Sequence, residues 1–204
     1  MAVKEGFKHN CQGKKISRNQ LEATTLQELG FSKKQINMMW DFYVTHSLGG
    51  GSELSRKVTD YGWRATTGKR DGYPALLQNL AESANIEKFC IIKANKINET
   101  LRQMNLSPKG TICIEHPRAV MNQNYGIKLN ENEIIEFDHK ESKVAALFRH
   151  IRNAFAHGRI YCLGNENILL EDKNDSTPTA EILIPKYALF NWIFVVDQYK
   201  TFYK

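Results

Sequence analysis

The sequence has no apolar run long enough to cross a bilayer as a helix, which excludes a helical membrane span. No basic stretch followed by an apolar one opens it, so no secretion signal is expected. Cysteine is scarce: Cys11, Cys90, Cys113 and Cys162 are scattered and form no C-x2-C pair. That spacing argues against a zinc site or any other metal cofactor and fits reduced thiols in a cytoplasm. A phosphate-binding loop is missing too, because no Gly-Lys-Ser/Thr follows Gly49-Gly50-Gly51-Ser52. This glycine run reads as a flexible break, as much a linker scar as a native loop.

What is present is ordinary in bulk, with 42% hydrophobic and 25% charged residues in 204. The net charge of +6 is uneven. Residues 1–110 hold 17 basic and 10 acidic side chains, +7, while 111–204 hold 11 and 12, −1. A basic first half offers a platform for a polyanion such as RNA, or equally a plain solvated surface.

Residues 141–158, ESKVAALFRHIRNAFAHG, organise the rest. Val144, Leu147, Phe148, Ile151, Ala154 and Phe155 recur at the three- and four-residue steps of a buried helix face, and Gly158 supplies a helix stop. At roughly 100° per residue the remaining arc runs Arg152, Ala156, Arg149, Asn153, His157, His150. An ordinary solvated face would use Lys and Glu. Arg152 and His157 sit about 7.5 Å apart along the axis and roughly 140° apart around it, so one helix holds both without letting them touch. Imidazole moves protons near neutrality, and the guanidinium fork suits a phosphate. Asn153, one turn before His157, could orient it or bind a phosphate or ribose oxygen. The bland alternative is that Arg152 and His157 solvate and cap a helix end, where cations favour the dipole.

The run Arg152-Asn153-Ala154-Phe155-Ala156-His157 resembles the Arg-polar-x-x-x-His signature of the HEPN superfamily, named for nucleotide binding. Its context, Arg149 to Gly158, is similar to a small prokaryotic branch found on plasmids and mobile elements. The resemblance covers residues 140 onwards and fades before residue 73. It implies a mainly α, up-and-down helical bundle with small β-hairpin elaborations, and a homodimer in which two copies of the motif share a groove. It further implies a metal-independent endoribonuclease without cofactors, in phage defence, abortive infection or a toxin–antitoxin pair. Arg152, Asn153 and His157 would be catalytic, and Arg149, His150 and Arg159 would contact RNA, possibly tRNA or a single strand. His150 on its own reads rather as a neighbour of the site. An antitoxin or regulatory partner would fit. Rival readings are a non-catalytic RNA- or nucleotide-binding module, and a DNA-binding helix-turn-helix built on residues 21–46.

Two regions are expected: residues 1–72 as a basic helical extension, loosely attached or packed on the bundle, and 73–204 as the HEPN-like domain. Residues 1–19 read as a polar arm, and Leu21–Leu29 and Ser32–His46 as helices around Gly30, with Ser32 as N-cap. Ser55–Gly72 mixes Arg56, Lys57, Arg64, Lys69 and Arg70 with Tyr61 and Trp63, a composition that can clamp a single strand or anchor a loop. Pro74 opens a long helix running towards Asn105, packed against the 141–158 helix. Strands are expected at Thr111–Glu115, at Ile127–Leu129 and Ile134–Phe137 around an Asn130-Glu131-Asn132 turn, at Arg159–Leu163 and Ile168–Leu170, and at Glu181–Ile184. Pro185 starts an apolar final helix reaching about Tyr203, of a kind buried in a core or in a dimer interface. His116, before Pro117, reads as a surface histidine or a distant acid/base partner, and Tyr161 as packing or a site neighbour.

Overall fold

The computed structural model describes residues 14–50, 52–66, 72–106, 110–123, 125–129, 135–139, 141–164 and 166–204. In chain order the elements are β1 (Lys15–Ser17), α1 (Lys33–Trp40), α2 (Pro74–Ser83), β2 (Lys88–Ile92), α3 (Ile97–Gln103), β3 (Thr111–Cys113), β4 (Arg118–Asn122), β5 (Tyr125–Leu129), β6 (Ile135–His139), α4 (Lys143–Ala156), β7 (Ile160–Gly164), β8 (Asn167–Asn174), β9 (Thr177–Pro185) and α5 (Lys186–Val196). A π-helical turn, Asp41–Thr45, continues α1.

The expected helical bundle is corrected by a five-stranded mixed sheet of order β2-β4-β9-β8-β7. β2 and β4 are parallel and the other neighbours antiparallel, while β1–β3 and β5–β6 form separate two-stranded sheets. The helix expected from Pro74 to Asn105 is three elements. Asn85 takes φ 50°, ending α2 one residue after its cap, and Phe89-Cys90-Ile91-Ile92 has the aromatic and β-branched content of a strand. Its apolar residues satisfied a helical period, but a run buried from both sides satisfies any period.

Strand alternation sorts the core into two layers. Ile168 and Leu170 of β8, Ile182 and Ile184 of β9, and Ala119 and Met121 of β4 face a large core shared with α2, α4 and α5. Leu169, Leu183 and Val120 face the opposite way, into a smaller core with Ile97 and Leu101 of α3 and Ile112 of β3. The sheet is thus a middle layer, helical on one side and thinly covered on the other.

Described residues between Leu26 and Tyr61 enter the large core. Phe42 and Tyr43 on the π turn, with Leu26, Leu29, Leu48, Val58 and Tyr61, bury beside α4 and α5. Ser32 caps α1 in a reciprocal box with Gln35, as expected. Residues 21–29 form a bridge and a single turn instead of a helix: Thr25 and Glu28 bond each other locally, and Gly30 takes φ 88°. The two-helix DNA reader is therefore not formed. The final helix is buried as expected but ends at Val196, where Asp197 accepts from the backbone N–H groups of Thr201, Phe202 and Tyr203. The β5–β6 pairing agrees with the expected hairpin, whose turn lies outside the described residues. Cys113 is disulfide-bonded, against the reduced state expected, whereas Cys90 and Cys162 are free.

Gly49 shows that the glycine run has a structural reason. A Cβ there would lie 2.3 Å from the backbone nitrogen of Arg149 and 2.5 Å from its Cα. Only glycine lets the 46–50 loop lie directly on α4 at this position. Gly49→Ala is expected to cost about 1–3 kcal/mol of stability, read as a lower urea midpoint at an unchanged m value.

On the thinly covered side, Glu171 and Glu181 are cross-strand partners, both buried, with Arg18 reaching both and Lys173 on Glu171. Burial pushes the Glu181 carboxyl up to about 8, helped by Glu171 and opposed by Arg18 and Lys173. The folded chain therefore keeps a proton that the unfolded chain releases from about 4.5, so this group costs stability progressively as pH rises from about 4.5 to about 8. Denaturant titrations across that window should show wild type weakening with pH and Glu181→Gln losing most of that slope.

Candidate functional site

α4 starts where Ser142 Oγ accepts from the Ala145 N–H at 3.1 Å, a side-chain N-cap. It stops in a full Schellman motif: Gly158 takes φ 61° and donates to Phe155 O (3.1 Å), and Arg159 donates to Ala154 O (2.8 Å). Between the ends, Val144, Leu147, Phe148, Ile151, Ala154 and Phe155 are all buried, as their period requires. Tyr43 stacks on Phe148 (5.8 Å between ring centroids) and tilts on Phe155 (5.2 Å), and Trp40 meets Phe155 edge-on at 6.0 Å.

The opposite arc divides in depth. His157, at the C-cap, is exposed, as are Ala156 and Gly158. Arg152 and Asn153 are half-buried, and Arg152 Nη1 donates to Asn153 Oδ1 over a long 3.4 Å. Arg159, also half-buried, donates to the Lys173 carbonyl at 3.0 Å. Arg149 is half-buried too, donating from Nε and Nη2 to Glu141 at 2.9 and 2.7 Å and reaching the Asn122 side chain at 3.4 Å. His150 is wholly buried, so its ring is not presented to a ligand and the expected RNA contact is not available there. Its Nδ1 lies 2.7 Å from Asp172 Oδ2, and its Nε2 lies 2.8 Å from the Asn122 carbonyl.

Asp172 on β8 is the residue that sequence reasoning missed. The same Oδ2 accepts from Asn153 Nδ2 at 3.0 Å, and Arg149 Nη1 stands 4.0 Å away. Burial alone would raise this carboxyl; hydrogen bonds from His150 and Asn153, with the positive charge His150 can carry, outweigh it and hold the group below its ordinary value. A signal existed, because Asp172 continues the core-facing phase of Ile168 and Leu170, where an acid needs a reason. His150 had one too: its angle places it beside Ala154 at the edge of the apolar arc.

Asn153 thus bonds Asp172 and Arg152 through its side chain and accepts the His157 backbone N–H through its carbonyl (3.0 Å). Around the end of α4 stand Arg152, Asn153, His157 and Arg159: an anion clamp, an amide, a proton carrier and a second cation, with half-buried Arg149 a turn earlier. His116 is exposed, 3.7 Å from Glu87. Tyr161 packs against the smaller core, on the other side of the sheet. Among the described residues no group of three or more His, Cys, Asp or Glu could hold a metal ion.

A family model described as HEPN pEK499 p136 matches residues 73–201, which include all of α4 and its Arg152-to-His157 motif. The chain belongs to this HEPN family. Neither the curated proteins nor the solved structures contain a significant match. In this HEPN chain the motif helix therefore packs on a mixed sheet, and the sheet itself, through Asp172, reaches the motif.

The two histidines of α4 should separate cleanly. His150→Ala strips a buried carboxylate of its partner and is expected to cost about 3–5 kcal/mol in urea unfolding. His157→Ala, at an exposed cap, should change stability by no more than about 0.5 kcal/mol.

Proposed function

We propose that this HEPN protein is a metal-independent endoribonuclease, working as a homodimer in which two copies of the end of α4 form one groove. The observation that carries the reading is the placement of Arg152 and His157 at the surface end of a HEPN motif helix whose geometry keeps them apart. A two-fold axis brings the Arg152 of one copy towards the His157 of the other, and exposed Ala156 permits close approach. His157 takes the proton of a ribose 2′-hydroxyl as its oxygen attacks the adjacent phosphorus. The bond from phosphorus to the 5′ oxygen breaks, and that oxygen takes a proton from the second copy's His157. Arg152 stabilises the charge that grows on the phosphorane, and Arg159 adds a phosphate contact. The products are a 2′,3′-cyclic phosphate and a 5′-hydroxyl.

Arg149, half-buried against Glu141, adds a further phosphate contact, whereas His150 is wholly buried and serves beneath the surface. A cytoplasmic setting in phage defence, abortive infection or a toxin–antitoxin pair, with an antitoxin or regulatory partner, is carried by the family resemblance alone. No helix among the described residues is long and apolar enough to cross a membrane.

The test is cleavage of total tRNA and a labelled single-stranded RNA in EDTA. Wild type should leave cyclic-phosphate ends, and His157→Ala and Arg152→Ala should each lose roughly 100-fold or more. RNA binding without cleavage by wild type would make the chain a non-catalytic binding module. Equal cleavage by all three proteins would place the active site elsewhere.

A further inference from the structure

We propose that Asp172 is a positioning residue of this site: its carboxylate locks the Asn153 side-chain amide with the amide oxygen turned outward beside Arg152. Its consequence for catalysis rests on the endoribonuclease reading, whereas the locking itself does not.

A carboxylate next to a phosphate-binding surface works against the ligand unless it is shielded. Asp172 is shielded: it points inward from β8 in phase with Ile168 and Leu170 and is 5% exposed. What it touches explains its place. An asparagine amide has one donor end and one acceptor end, and either can face inward. With Nδ2 inward, Asn153 donates to Asp172 Oδ2 at 3.0 Å. With the amide reversed, two acceptor oxygens would meet at that distance, and a buried clash of lone pairs is costly. Asp172 therefore selects one orientation.

Two groups hold Asp172 in turn. His150 Nδ1 bonds the same oxygen at 2.7 Å, and Arg149 Nη1 stands 4.0 Å away, itself fixed by Glu141. The outward Asn153 Oδ1 faces Arg152 Nη1 at 3.4 Å. An acceptor there suits a guanidinium or a hydroxyl such as a ribose 2′-OH, and it repels a phosphate oxygen. Orientation thus runs from the sheet through Asp172 and Asn153 to Arg152, and Asn153 is assigned to Arg152 rather than to the His157 ring.

The test combines a spectrum with a reciprocal exchange in the full-length protein. In wild type, the Asn153 side-chain amide should give a 1H–15N signal that is shifted by its carboxylate partner and slow to exchange with solvent. His157→Ala should leave that signal in place and Asp172→Asn should abolish its shift. On the RNA substrates, Asp172→Asn and Asn153→Asp should each lower kcat by roughly 10- to 100-fold with KM little changed. The double variant Asp172→Asn/Asn153→Asp reforms the amide–carboxylate bond with donor and acceptor exchanged, and keeps an oxygen outward. It should recover most of the lost kcat, and the side-chain amide that it carries on β8 should show the shifted signal. An Asn153 signal unmoved by Asp172→Asn would overturn the proposal, as would an exchange variant no better than the weaker single one. A wild type that cleaves no RNA would remove the endoribonuclease reading alone, because the amide signals of the wild-type, single and exchange proteins still decide the locking.

Discussion

The buried hydrogen bond between Asp172 and His150 sets the rotation of α4 on the sheet. A carboxylate removed from water needs partners, and α4 supplies His150 at 2.7 Å and Asn153 at 3.0 Å. Rotating the helix by one residue would take His150 away from Asp172 and drive Phe148 or Phe155 out of the aromatic cluster around Tyr43. With the rotation so fixed, Arg152, Ala156 and His157 face outward. Arg149 then lies within reach of Glu141, and Asn153 lies over Asp172.

The amino-terminal segment contributes to this arrangement from the other side of the helix. Phe42 and Tyr43 sit on a π turn, and both of these consecutive aromatic residues lie against Phe148. Gly49 then lets the following loop lie on the backbone of Arg149. On the far side of the sheet, Arg18 ties the end of β1 to Glu171 and Glu181. β8 therefore carries two acids with opposite surroundings: Glu171 faces that ion cluster, and Asp172, the next residue, faces the motif helix.

Membership of a HEPN family and a mixed α/β architecture are compatible because the motif needs only one helix end, and what supports the helix can differ. Here the support is a sheet. Strands from the β7–β9 meander and from β4 bring Asp172 and the Asn122 carbonyl under α4, where a second helix of a bundle would offer side chains on a different spacing.

Local features were legible in the residues alone: the buried face of α4, its Gly158 stop, the β7–β9 strands, and the polar arc that carries His157. Each follows from periodicity or backbone preference within a dozen residues, and Arg152, Asn153 and His157, set in that apolar cadence before Gly158, pointed to the family. The rest was decided by packing between distant segments. Residues 88–92 became a strand because neighbours paired with them, although their apolar spacing also fitted a helix. Gly49 lies against Arg149, far along the chain, Arg149 is engaged by Glu141, and His150 is drawn inward by Asn122 and Asp172. A helical wheel gives the angle of a polar residue but not what stands opposite it. An opposing carboxylate from a distant strand turns a surface histidine into a buried one.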